Sequence, residues 1–150
     1  IQNKDFDKIF DLNAKSVFFL IKHSLQEFKK NKEGCIINVS TISAKSGGSV
    51  GSSVYASSKA FVSSLTRSLV SELSPLNIRI NAISPGTIDT KFHQQYSTKE
   101  KLEKTKNLIP MKRLGNSFDC VGPIIFLSMK SLSGYITGQV IEVNGGQFFN

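Results

Sequence analysis

The chain reads as one α/β domain with parallel strands, and three observations predict it. Short runs rich in β-branched residues, Cys35–Val39, Asn77–Ile83 and Gln139–Val143, are separated by longer segments with the apolar period of amphipathic helices. These segments alternate as helix, strand, helix, strand, the order of a βαβ unit with a parallel strand pair. The polar and turn residues of Asn38–Thr41 and of Pro85-Gly86 fall at the C-terminal ends of the first two strands, where open α/β sheets hold ligands.

Taken in order, Asp5 to Phe28 places Phe6, Phe10, Ala14, Val17, Ile21, Leu25 and Phe28 at steps of three and four, an amphipathic helix with Asn13 on the edge of its apolar stripe. Gly34 is expected to end that helix. After the first strand and a Ser/Gly-rich loop, a second helix is predicted from Tyr55 to Leu73, stopped by Ser74-Pro75 because a residue before proline is pushed out of the α region. Asn77–Ile83 then alternates as a strand ending at Ser84-Pro85-Gly86. Phe92 to Leu108 is Lys/Glu-rich and predicts one or two helices. A further helix is expected near Asp119 to Met129, tolerating Pro123 only if that residue lies close to the first turn.

Composition narrows the function classes. Hydrophobic residues at 39% and charged residues at 20% of 150 describe an ordinary globular domain. No apolar run approaches the ~18 residues needed to span a membrane. The opening IQNKDFDKIF lacks the basic and apolar regions of a signal peptide. It also begins without Met, so further sequence is expected upstream. The net charge of +8 would suit an anionic partner, but the lysines are dispersed. Lys29, Lys30 and Lys32 suit a helix C-terminus, and Lys99 to Lys106 alternate with Glu100 and Glu103, so nucleic acid is not an expected partner. Cys35 and Cys120 have no CxxC spacing and no His cluster nearby. Two free buried thiols in a reducing cytoplasm are expected, rather than a disulfide or a metal site.

Tyr55 and Lys59, four apart at a helix start, share one face a turn apart. A cation beside a phenol favours the phenolate and lowers a pKa that is ordinarily about 10, giving a proton donor that works near neutral pH.

Tyr55-x-x-x-Lys59, preceded by INVST and followed by Ala-Phe, resembles the active-site segment of the short-chain dehydrogenase/reductases. KDFDKIFDLNAKSVFFL resembles the family helix that carries a catalytic Asn, a match that falls on Asn13. RINAISPGTIDT, IPMKRLG and SGYITGQVIEVNGGQFF follow in family order. The resemblance implies the C-terminal part of a Rossmann-type doubly wound parallel sheet, three strands with flanking helices, in the broad group that includes 3-oxoacyl-carrier-protein reductases.

It also implies an NAD- or NADP-dependent oxidoreductase acting on a small carbonyl or alcohol. Tyr55 would be the general acid/base, Lys59 would lower its pKa and bind the nicotinamide ribose, and Asn13 would hold a relay water. A hydroxyl at the end of the first strand would orient the carbonyl oxygen. The family's Ser is matched here by Thr41, with Ser40 and Ser43 as the other candidates. Pro85, Gly86, Ile88 and Thr90 would join Tyr55 and Lys59 on the cofactor, the Thr90 hydroxyl and the backbone after Gly86 holding the carboxamide. Phe92, His93 and Tyr96 lie in what would be the substrate-side lid. The glycine-rich turn for the pyrophosphate, and the residue that selects NAD or NADP, are expected upstream, so the 150 residues would form one partial domain. A homodimer or homotetramer is implied through the apolar surface at Phe18–Leu20 and at Phe61 and Leu65. The competing expectation is a binding or scaffold protein that keeps the fold without catalysis.

Overall fold

The computed structural model describes residues 2–91 and 96–149. In chain order the elements are α1 (Asn3–Phe10), a π-helical turn (Asp11–Lys15), α2 (Ser16–Asn31), β1 (Gly34–Val39), α3 (Ser43–Ser46), α4 (Ser53–Ser68), α5 (Val70–Leu73) and a 3-10 turn (Ser74–Leu76). Then come β2 (Ile78–Pro85), α6 (Lys99–Leu108), a second 3-10 turn (Ser117–Cys120), α7 (Val121–Ser128), α8 (Lys130–Ser133) and β3 (Val140–Val143). The strands form one sheet in the order β1-β2-β3 with both pairs parallel, as the alternation predicts. Val39 pairs with Ile83 and Ser84 with Glu142, so all three C-terminal ends share one edge.

Period-two alternation sorts the side chains between two helical layers. Ile36, Asn38 and Ser40 look toward α4, where the Asn38 amide donates to Thr66 Oγ1 at 2.9 Å. Cys35 and Arg79 look the other way. There the Arg79 guanidinium donates to the Leu127 carbonyl at 2.9 Å and to the Ser133 carbonyl at 3.1 Å, satisfying groups at the end of α7 and α8 that no helical N–H reaches. The core on the α4 side is built from Ile21, Leu65, Leu73, Ile78 and Ile80, with Val17, Leu25, Phe28 and Ile36 packed around it. Leu65, expected on an exposed patch, is therefore a core residue. Phe61, Phe18, Phe19 and Leu20 remain exposed.

The first helix continues to Asn31 but contains the π turn at Asp11–Lys15, which the apolar spacing did not predict. Its left-handed end is Lys32 (φ 56), not Gly34. Gly34 instead opens β1, and glycine is required there because the Phe28 ring lies 2.7 Å from where a Cβ would sit. The second helix breaks after Ser68, restarts as α5, and stops before Pro75 as expected. Asn77 (φ 58) then turns the chain into β2, its amide donating to the Lys32 carbonyl at 3.0 Å and fixing the two strand entries side by side. Pro123 is the third residue of α7, within the first turn, where its missing N–H breaks no helical bond.

Candidate active site

Tyr55 and Lys59 stand on the first turns of α4, above the C-terminal end of β1. The Lys59 ammonium donates to the Val39 carbonyl at 2.9 Å, the last carbonyl of that strand. Two residues on, the Thr41 side chain is hydrogen-bonded to the Tyr55 side chain. The Ser43 N–H donates to Thr41 Oγ1 at 3.3 Å and fixes the rotamer. Ser40 takes the opposite direction. It is buried against α4, with its hydroxyl 2.6 Å from Ser63 Oγ and 3.2 Å from the Lys59 carbonyl it donates to. Of these two neighbouring hydroxyls, Thr41 acts on the phenol and Ser40 turns away from it.

Asn13 lies in the middle of the π turn, a local unwinding that recurs at functional sites. Its Nδ2 donates to Ser58 Oγ at 3.2 Å, and the Ser58 hydroxyl donates to the Tyr55 carbonyl at 2.7 Å. Asn13 is thus wired to the turn that carries Tyr55. Ser58, fully buried, is a member of this cluster that the sequence reading missed. Its one signal was position, a small polar residue directly before Lys59 on the packed side of the helix.

Electrostatics differ from expectation at the phenol. Burial pushes the Tyr55 pKa above its usual value, and the Thr41 hydrogen bond takes back only part of that rise. Burial likewise pushes the Lys59 ammonium down. The expected lowering of the phenol is not found, because desolvation penalises phenolate and ammonium alike and the Lys59 ammonium donates to a backbone carbonyl.

At the end of β2, the Pro85 carbonyl accepts from the Ile42 N–H at 3.1 Å, which ties the loop bearing Thr41 to this strand. Gly86 allows a close approach to the C-terminal turn: a Cβ there would lie 2.8 Å from Asn144 Cβ and 2.9 Å from Asn144 Cα. Gln147 accepts from the Thr87 N–H at 2.8 Å and donates to its hydroxyl at 3.0 Å. Ile88 bridges to Gly115, and the Thr90 hydroxyl donates to the Ile88 carbonyl at 3.4 Å. Thr87, Ile88, Met111, Arg113 and Glu142 line an open cleft at this same end of the sheet. Arg113 grips Asp119 through two hydrogen bonds of 2.7 and 2.8 Å, holding that carboxyl down at about 2. Phe92 and His93 lie outside the described residues, whereas Tyr96 is exposed. Cys35 and Cys120 are free and half-buried rather than buried.

The family described as enoyl-(acyl carrier protein) reductase matches residues 1–147. The chain belongs to the short-chain dehydrogenase/reductase family. It is 35% identical over 144 residues to the 3-oxoacyl-[acyl-carrier-protein] reductase FabG of Aquifex aeolicus, covering 96% of this chain and 57% of that relative. It is 39% identical over 142 residues to dehydrogenase/reductase SDR family member 4 of Homo sapiens, covering 94% of this chain and 50% of that one. Among solved structures, the NADH-dependent reductase A1-R' responsible for alginate metabolism superimposes with a TM-score of 0.88 at 32% identity, over all of this chain and 58% of the other. The chain therefore spans 50–58% of the length of these relatives, and its sheet is Rossmann-like.

Proposed function

We propose that the complete protein is an NAD(P)-dependent oxidoreductase that transfers a hydride between the nicotinamide ring and a carbonyl or alcohol carbon, with Tyr55 as the general acid/base. The observation that carries this is the convergence of Tyr55 and Lys59 on the end of β1, one turn apart on α4, with the Lys59 ammonium on the Val39 carbonyl at 2.9 Å and the loop bearing Thr41 tied beside them by the Ile42 N–H to Pro85 carbonyl bond. The donor set fits the nicotinamide end of a dinucleotide: an ammonium and a phenol one turn apart for a ribose diol, and the Ile88 backbone with the Thr90 hydroxyl for a carboxamide. The cofactor, when bound, supplies or accepts the hydride.

The side chains do the rest. Tyr55 gives its proton to the carbonyl oxygen in reduction and takes it back in oxidation. Thr41 holds that oxygen in line with the phenol, a fixed dipole that needs no reorganisation as charge develops. Lys59 would hold the ribose of the cofactor, and its positive charge beside the phenol would favour the phenolate when the site is loaded. Asn13, anchored through Ser58, holds the water that returns the proton. The strand, turn and helix that hold the pyrophosphate, and the side chain that chooses between NAD and NADP, lie upstream of this partial domain.

The test is turnover of the complete protein with NADH and NADPH, starting from 3-oxoacyl thioesters because a similar protein is named for one. Tyr55→Phe is expected to lower kcat at least ~100-fold with the thermal midpoint kept. Retained turnover in that variant would end the assignment. No helix among the described residues is long and apolar enough to cross a membrane. We place the protein in the cytoplasm, since both thiols are free. The apolar groove at Phe10, Ala14, Phe18, Phe19 and Phe61 supports pairing with a second copy as a dimer or tetramer, and light scattering showing a monomer would remove that part of the reading.

A further inference from the structure

Lys45 and Glu142 form an ion pair that the site described so far does not use. Lys45 lies on α3, the single turn that begins two residues after Thr41. Its Nζ is 3.1 Å from Glu142 Oε1, and the two side chains are only 28% and 24% exposed. Glu142 is the third residue of β3, a strand otherwise composed of Val and Ile. A carboxylate in such a strand costs stability unless a charge or donor meets it. Oε1 faces the Lys45 charge without making a hydrogen bond, and Oε2 accepts from the Asn144 amide at 3.3 Å. Asn144 is itself fixed, donating to the Phe148 carbonyl at 2.7 Å and accepting from the Gly146 N–H at 2.9 Å. The carboxylate is therefore anchored to the C-terminal turn before Lys45 reaches it.

On the other side α3 is tied to the sheet at its start by the Ile42 N–H to Pro85 carbonyl bond, and the chain after it has little stiffness of its own. Gly47, Gly48 and Gly51 all take left-handed backbone angles, and the segment is otherwise mostly serine. Thr41 enters this loop with its rotamer held by the Ser43 N–H, the first residue of α3. Any shift of α3 relative to the sheet thus moves the hydroxyl that meets Tyr55. The ion pair spans from α3 to β3, two strands away from the one that delivers Thr41.

We propose that Lys45 and Glu142 are positioning residues that clamp α3 to β3 and so hold the Thr41 hydroxyl in line with Tyr55. This rests on the oxidoreductase reading above, in which Thr41 orients the carbonyl oxygen. The test is a set of double-mutant cycles in the complete protein, measuring kcat, KM and thermal midpoint. Lys45→Met, and separately the near-isosteric Glu142→Gln, are expected to lower kcat roughly tenfold or more with KM little changed, the penalty of a misplaced but intact group. In the Thr41→Ala background the same substitutions should cost no further turnover. The charge-exchanged pair K45E/E142K should recover most of the loss, as should Lys45→Arg.

An equal kcat penalty with and without Thr41 would overturn the clamp while leaving the oxidoreductase reading intact, and so would no penalty at all. Wild-type turnover of Thr41→Ala itself would overturn the clamp and the role given to Thr41, while leaving the oxidoreductase reading intact. Glu142→Gln changes no volume and keeps the decision open if Lys45→Met fails to fold.

Discussion

Tyr55 is held neutral by its surroundings before any cofactor arrives. Burial raises its pKa and the Thr41 hydrogen bond opposes the rise. The tyrosinate signal lost in Tyr55→Phe should therefore titrate above the usual value near 10, and Thr41→Val should move it higher still. Ultraviolet difference titration reads both, and a midpoint at or below the usual value would contradict the burial argument. A raised folded-state pKa gives a contribution that is intact below the unfolded value and lost as pH climbs through the folded one. Tyr55→Phe should flatten the alkaline limb of the stability curve. The Tyr55-x-x-x-Lys59 pair was legible in the sequence because helical spacing alone places both side chains on one face. The pKa direction was not, because burial depends on what packs around the pair. Nor was the way Ser40 and Thr41 part at the end of β1, Ser40 turning into α4 and Thr41 acting on the phenol.

The elements were largely legible, and their joints were not. Apolar residues at Phe10, Ala14 and Val17 fit an unbroken α-helix, so the residue inserted by the π turn left no mark in the pattern. Yet that turn is where Asn13 meets Ser58, forty-five positions away. Ser58→Ala removes the bond to the Tyr55 carbonyl and leaves the Asn13 amide short of a partner. It should cost about 1–2 kcal/mol in urea unfolding, and a loss within error would show that the pair holds nothing. Gly86 makes the same point at the end of β2. Its Cβ would press on the backbone of Asn144, so Gly86→Ala should cost about 1–3 kcal/mol as overpacking and loosen the C-terminal turn. Arg113 and Asp119 brace the entry to α7. The Asp119 carboxyl, now at about 2, should titrate back toward an ordinary carboxylate in Arg113→Gln, as carboxyl carbon NMR would show. Its contribution is present above the unfolded-state value and lost as pH falls through about 2.

At the scale of the molecule, the fold class was legible because parallel βαβ order follows from the alternation of periods and needs no knowledge of contacts. The sheet it produces gathers Thr41, Tyr55, Lys59 and the Pro85–Thr90 segment at one edge, and under the proposed function these residues would address one end of a dinucleotide. The other end is a pyrophosphate, whose charge is best met by backbone N–H groups at a helix N-terminus behind a glycine-rich turn. Neither G-x-G-x-x-G nor G-x-x-x-G-x-G occurs in the sequence. β1 also has a neighbour on one side only among the described residues, β2. A strand whose other edge is unpaired is prone to slip and to pair with another copy. The 150 residues by themselves should therefore bind NADH and NADPH no more tightly than roughly 1 mM and reduce no carbonyl at a measurable rate. Fluorescence titration of the isolated chain, run beside circular dichroism to establish that it is folded, decides this. Saturable micromolar binding would mean that the nicotinamide end supplies most of the affinity, and that the phosphate-holding turn contributes far less than its charge implies.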